Sequence, residues 1–216
     1  MEIRNALGHA IGAKGSRTRT ALMDATRRLM ERESIRDIRV ADIAAIASTS
    51  SATFYRYFKD VVEAALAVAQ AVEQMTPEME RLLSEPWPTE EVFLRSRALV
   101  EIWARLWTQH YPVLQFRNLA ADQGDDRFLD ARGASIQRAR TLIMAKVVAM
   151  QRQGADAPAL TNAMLGALER TSANLIHNKR LRLSRARVID GAAYLVALTF
   201  AGSLPAGVLG LDAREG

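Results

Sequence analysis

The sequence predicts an all-helical protein, and three observations carry that expectation. Apolar residues recur at three- and four-residue spacing along most of the 216 residues, the mark of amphipathic helices. No alternating run of β-branched residues reaches strand length, so nothing reads as a sheet. The six prolines fall at the edges of the apolar repeats, where proline punctuates helices. Apolar residues at 49% and charged residues at 25% suit a globular chain with a substantial core. The absence of cysteine excludes disulfides, thiol catalysis and cysteine metal sites, and suits a reducing cytoplasm. No apolar run approaches the roughly 18 residues needed to span a bilayer, and Arg4, Asn5 and His9 interrupt any signal-peptide core. A cytoplasmic location without membrane contact is expected.

Residues 1 to about 15 read as an arm, because Gly8, Gly12 and Gly15 disfavour helix. Lys14, Arg17 and Arg19 place positive charge where the first helix begins, suited to phosphate or minor-groove contact; residues 1 to 12 read equally well as a plain tail. Helix one is expected from Ser16, its N-cap, to Glu33, burying Leu22, Ala25, Leu29 and Met30. Ile35 and Ile38 then plug a three-helix core. Val40, Ile43, Ala44 and Ala47 form one apolar stripe, Ser48-Thr49-Ser50 favours a turn, and Ser51 to Phe58 restarts with Phe54 and Phe58 as anchors. Tyr55, Arg56 and Tyr57 lie between those anchors and would add little to an aliphatic core. Two helices of seven or eight residues joined by three or four is the spacing of a helix-turn-helix, whose second helix enters the major groove of DNA. Charge agrees: residues 1 to 60 hold 11 Lys+Arg against 7 Asp+Glu, and the remainder hold 18 against 17.

The run Val40-Ala41-Asp42-Ile43-Ala44, followed by Ser50-Ser51-Ala52-Thr53-Phe54-Tyr55-Arg56-Tyr57-Phe58, resembles the DNA-binding signature of the TetR family of bacterial repressors. That signature is a V-x-D-I-A helix, a turn, then S-x-G/A-T-L/F-Y-x-Y/H-F. Three positions depart from it: Ser48 stands where the turn glycine is often found, Arg39 where a Thr commonly opens the helix, and Val61 where a Lys is frequent. The resemblance implies that Ser50, Ser51, Thr53, Tyr55 and Tyr57 line the DNA face while Phe54 and Phe58 are buried. Lys14, Arg17, Arg39, Arg56 and Lys59 are the cations expected on phosphates or guanine edges. Ser50 reads equally as an N-cap, and Tyr57 as packing on the following helix.

A fourth helix is expected from its cap Asp60 to about Met75, with Pro77 kinking it or starting a further turn. Ser84 to Thr89 is the clearest loop, and Thr89-Glu90-Glu91 a capped, acidic helix start. The next helix runs to about His110, where Tyr111-Pro112 breaks it. A short helix from Val113 to Ala121 comes after it, ending in the turn cluster 122–126. The helix from Asp126 to Gln153 is basic early (Arg127, Arg132, Arg138, Arg140) and apolar later. Two more helices, from Pro158 to His177 and around Val188 to Thr199, bring the total to about nine. Small residues on these last two (Ala163, Gly166, Ala167, Gly191, Ala192, Ala193) permit close helix approach. The resemblance implies that they form a homodimer interface; packing within one subunit is the alternative.

The resemblance also implies a ligand cavity bounded by helices of the later part. Trp103 and Trp107, one turn apart, are its candidate wall, with Phe93, Phe116 and Met144 as companions and Asn118, Thr171 and Asn174 as polar contacts. Taken alone, Trp103 reads more readily as plain core. The Leu168-Glu169-Arg170-Thr171 run is similar to the branch containing the ethionamide-linked repressors, which bind elongated apolar ligands. Arg170 with Glu101 or Glu169 reads instead as a structural ion pair. No enzyme is expected: His9, His110 and His177 are scattered, Asp125-Asp126 looks like helix capping, and no spacing suggests a metal or phosphate-binding cofactor. The expectation is therefore a DNA-binding domain at 1–60 and a ligand-sensing, dimerisation domain at 61–216. Together they make a dimeric repressor of a palindromic operator on double-stranded DNA, released by a small apolar or amphipathic effector. The rivals are a helical ligand-binding or enzymatic protein that does not use DNA, and an architectural DNA-binding protein without an effector.

Overall fold

A computed structural model describes residues 12–150, 156–176 and 183–201. Every element among them is helical: α1 Ala13–Met30, α2 Val40–Ile46, α3 Ser51–Tyr55, α4 Val61–Gln70, α5 Pro77–Ser84, α6 Val92–Asp122, α7 Asp126–Met150, α8 Ala157–Ile176 and α9 Arg185–Ala201, with one 3-10 turn at Thr89–Glu91. The expected arm before Gly12, the end of helix seven past Met150, the start of the basic segment after helix eight and the tail after Ala201 lie outside the described residues.

The residues form two compact units that do not follow chain order. One comprises the described residues up to Glu73 together with His110–Ser135; the other comprises Gln74–Gln109 and the described residues from Ile136 onward. In the first unit α1 packs on α4 and α2, and α2 on α3. Its core holds Leu22, Ala25, Leu29, Ile43, Phe54, Phe58, Ala65 and Phe128, all buried. The helix α1 starts at Ala13, three residues before the expected Ser16. Gly12 is its N-cap without a side-chain bond, and the Ser16 N–H donates to the Gly12 carbonyl. Gly15 therefore sits in the first turn, where a helical glycine costs about 1 kcal/mol.

Pro77 begins a helix, as the first residue of α5 behind Thr76, whose hydroxyl accepts the Met79 N–H. Asp60 caps α4 by accepting the Glu63 N–H at 2.7 Å. The expected break at Tyr111-Pro112 is a kink instead. The helix continues through α6, and only His110 leaves the helical region, at φ −116° and ψ 17°. Pro112 lacks the N–H that would bond back to Thr108, which accounts for the kink. The α6–α7 turn closes on Gly124 at φ 89°: the Gly124 N–H donates to the Ala121 carbonyl and the Asp125 N–H to that of Ala120, a Schellman ending. Asp125 then caps α7 and also takes the Arg127 guanidinium.

The second unit is tied by aromatic and ionic contacts. The Trp87 indole N–H donates to the Leu82 carbonyl (2.8 Å), and its ring meets Phe200 edge-on at 5.0 Å. The Lys146 ammonium lies over the same ring and donates to the Glu85 carbonyl. Arg97 bridges Glu101 on its own helix and Asp190 on α9, so Glu101 is paired within α6. The basic start of α7 is largely neutralised: Arg127 pairs with Asp125, Arg132 with Asp122 and Arg138 with Glu80.

The half-buried His110 imidazole is held below its ordinary 6.5, by burial first and by the nearby Arg27 guanidinium second. The unfolded chain therefore takes up this proton first as pH falls, so stability declines below about 6.5 until the folded group titrates too. Thermal unfolding of His110→Gln, followed between pH 7.5 and 5, should show a shallower loss than the parent protein. Identical profiles would remove His110 from the pH dependence.

Candidate nucleic-acid interface

Four residues, Ala47 to Ser50, separate α2 from α3. The α2 helix ends as α6 does: the Ser48 N–H donates to the Ala45 carbonyl (3.1 Å) and the Thr49 N–H to the Ala44 carbonyl (2.9 Å). Ser48 occupies the left-handed position of this Schellman turn at φ 51°, the one non-glycine residue with positive φ among the described residues. Ser48, which stands where the resemblance expects a turn glycine, thus keeps the turn and takes on its strain. Ser50 ends the turn, its hydroxyl accepting the Thr53 N–H at 3.2 Å and sharing a hydrogen bond with the Thr53 hydroxyl. Its capping role is real.

The helix α3 is shorter than expected, five residues rather than eight. Tyr57 and Phe58 lie in the turn after it, both bonding back to the Phe54 carbonyl. Phe54 and Phe58 are nevertheless the buried anchors, at 0% and 1% exposure, with ring centroids 5.7 Å apart. Between them Tyr55 stands 53% exposed, its ring edge-on to Phe54 at 5.6 Å. Arg56, Lys59 and Ser50 are exposed, and Ser51, Thr53 and Tyr57 are half-buried. Lys14, Arg17 and Arg39 are exposed at the starts of α1 and α2. All ten proposed DNA contacts therefore belong to one compact unit. Arg19, two residues from Arg17, differs: its guanidinium lies over the Phe58 ring at 5.2 Å.

The candidate ligand residues fall into separate settings. Trp103 is fully buried and Trp107 nearly so, with Phe93 and Met144 half-buried, and all four belong to the second unit. Phe116 and Asn118 belong to the first unit: Phe116 packs edge-on against Phe128 at 5.3 Å, and Asn118 accepts the fully buried Arg117 guanidinium, which also donates to Ser135 at 2.7 Å. Thr171 lines an apolar groove between α8 and α9, while Asn174 is half-buried on α8. That groove encloses about 470 Å³, and its walls include Leu160, Met164 and Leu168 of α8 and Leu195, Val196 and Leu198 of α9. Leu195 is 55% exposed.

Glycine adopts the left-handed region without the Cβ clash that strains Ser48. Ser48→Gly should therefore stabilise the protein by about 1 kcal/mol, read as a higher urea midpoint at unchanged slope. A destabilised variant would contradict the strained turn.

The family model described as bacterial regulatory proteins, tetR family, matches residues 22–60. The model described as tetracyclin repressor-like, C-terminal domain, matches residues 79–205. No curated protein matches the sequence. Among solved structures, a protein from Rhodococcus sp. RHA1 is 16% identical with a TM-score of 0.66, covering 85% of this chain and 95% of that one. The transcriptional regulator FadR from Bacillus subtilis, in complex with stearoyl-CoA, is 14% identical with a TM-score of 0.61, covering 85% and 98%. The fatty acid degradation regulator FadR from Bacillus halodurans is 14% identical with a TM-score of 0.59, covering 83% and 94%. At such identities these likenesses are ones of fold. The two family matches fall on the helix-turn-helix and on most of the chain beyond it, the second alone spanning more than half of the 216 residues: this chain belongs to the TetR family of bacterial DNA-binding transcriptional regulators.

Proposed function

We propose that the protein is a dimeric repressor whose two α3 helices read a palindromic operator and which a small amphipathic effector releases. The observation that carries this reading is Tyr55, exposed between two buried phenylalanines and flanked by Arg56 and Lys59. A large aromatic held out in water by its neighbours gains nothing for the core and suits contact with a duplex. Residues 1–60 would supply DNA binding and residues 61–216 sensing and dimerisation. Within the first part, Lys14, Arg17, Arg39, Arg56 and Lys59 meet phosphates or guanine edges, and Ser51, Thr53, Tyr55 and Tyr57 meet DNA beside the capping Ser50. Repression is the expected outcome because tight binding alone blocks a promoter. No reaction is proposed; among the described residues no group of three His, Asp or Glu could hold a metal ion. No helix among them is long and apolar enough to cross a membrane, which fits a cytoplasmic regulator.

Dimerisation is supported by the apolar α8–α9 groove with its exposed Leu195. A second copy laying the same two helices there makes an isologous four-helix contact. Reading a palindrome in successive major grooves requires the two recognition helices about one DNA turn apart, roughly 34 Å.

The effector reading is supported by polarity in the second unit's core. The Trp103 indole N–H and the Ser96 hydroxyl, two turns apart on one face of α6, are buried without a hydrogen-bond partner. Each such group costs roughly 1–3 kcal/mol. An apolar molecule carrying an acceptor, such as a carbonyl or carboxylate, would satisfy either of them. The stearoyl-CoA in the Bacillus subtilis FadR complex makes acyl amphiphiles the first class to try. Release requires that the effector favour the DNA-free state, since equal affinity for both shifts nothing.

Fluorescence anisotropy on a duplex from the protein's own upstream region should show a preference of roughly 10³ over a shuffled duplex, with steep salt dependence. Tyr55→Ala should lose most of it. Absence of binding at low salt would overturn the operator reading. Leu195→Glu should shift sedimentation at micromolar concentration from dimer to monomer, whereas an unchanged dimer would place the interface elsewhere.

A further inference from the structure

The helix α3 has five residues, too few to hold itself by its own hydrogen bonds. The direction in which it presents Tyr55 is therefore set by what its anchors pack against. Phe54 is edge-on to Tyr55 and tilted against Phe58. Phe58 in turn carries the Arg19 guanidinium on its ring, 5.2 Å from the centroid. One nitrogen of that guanidinium donates to the Met23 sulfur at 3.0 Å, one helical turn along α1. A planar cation over an aromatic face contributes about 0.5–2 kcal/mol, more as it is desolvated. Arg19 is half-buried. Burial pulls its guanidinium below the ordinary arginine value, against the Glu63 carboxylate, which raises it. Arg17, one face round on the same helix, is exposed.

We propose that Arg19 is a positioning residue of the DNA-binding unit: its stacked guanidinium clamps Phe58 and, through Phe54, fixes the orientation of Tyr55, instead of pairing with phosphate. The chain of contacts runs Arg19, Phe58, Phe54, Tyr55 from the first helix to the recognition surface. Arg19 thus governs how well the operator is distinguished, and adds little to the sequence-independent attraction between protein and duplex. A lysine keeps the charge but lacks the flat, donor-edged plane that lies on the ring and reaches Met23.

The proposal rests on the reading of α3 as the recognition helix, and the test separates the two. The probes are the duplex that the full-length wild-type protein selects from a randomised pool and a shuffled duplex of equal length. Affinities for both are measured across a salt series for wild type, Arg19→Gln, Arg19→Lys and Arg17→Gln, with thermal midpoints recorded for each. Positioning predicts that both Arg19 variants lose about ten-fold on the selected duplex, little on the shuffled one, and keep the wild-type salt slope. Arg17→Gln should instead weaken both duplexes and lower the slope by about one. If Arg19→Gln lowers the slope in the same way while Arg19→Lys behaves as wild type, Arg19 is a phosphate contact and the proposal is overturned. A lower thermal midpoint with an intact preference in both variants would reduce Arg19 to a support of the fold, and overturns it too. A wild-type protein that selects no duplex would instead sink the recognition-helix reading itself, and the positioning role with it.

Discussion

Burial of Phe54 and Phe58 is the constraint on which the DNA-binding unit depends. Isolated helices become stable in water only at roughly 12 residues or more, and α3 has five. Its geometry is therefore borrowed from the first unit's core, where α1 packs on α2 and α4. Leu22, Ile43 and Ala65 contribute buried surface to that same core. The caps serve the same end: Ser50 fixes where α3 begins, and Asp60 fixes where α4 takes over five residues after it ends. The outward-facing residues, Tyr55 above all, are displayed by residues that face inward.

The long helices meet a different requirement. Residues of α6 and α7 belong to both compact units, so neither unit is a contiguous stretch of chain. His110, where α6 leaves helical geometry, is also the first residue of the α6 portion that belongs to the DNA-binding unit. A change in the second unit therefore has a covalent helical route into the first. The Schellman ending at Gly124 and the Asp125 cap turn the chain sharply enough for α7 to retrace the same division.

Local chemistry made much of this legible in the sequence. The turn at 48–50, the cap at Asp60, the anchors Phe54 and Phe58, and the helix start at Pro77 each depend on residues within a few positions. Failures came where several residues compete. Gly12 and Gly15 suggested an arm, yet the helix begins between them, because tertiary packing of α1 outweighs a modest glycine penalty. Tyr57 and Phe58 continue the helical apolar spacing but close a turn. Tyr111-Pro112 looked like a break, yet helical bonding on either side absorbs the proline as a kink.

The later part of the chain was legible as helices, but not in which setting each candidate site residue would fall. Trp103, Phe116 and Thr171 all look like lining residues in sequence, because each is an aromatic or polar group on an apolar helix. The structure puts them in the second unit's core, in the first unit and in the α8–α9 groove respectively. No periodicity encodes which distant helix a face will meet. The stacking of Arg19 on Phe58 was invisible for the same reason, the two lying 39 positions apart: the basic side chain could be seen, its aromatic partner could not.

The α8–α9 groove has a consequence in mass action. A folded single copy carries an apolar trough with Leu195 exposed in it, and the second copy proposed to cover that trough would lower its free energy. Stability would then depend on protomer concentration. Where only paired copies grip DNA, occupancy below the pairing threshold grows with the square of concentration. Dilution alone would then release DNA more steeply than the binding of a single copy allows.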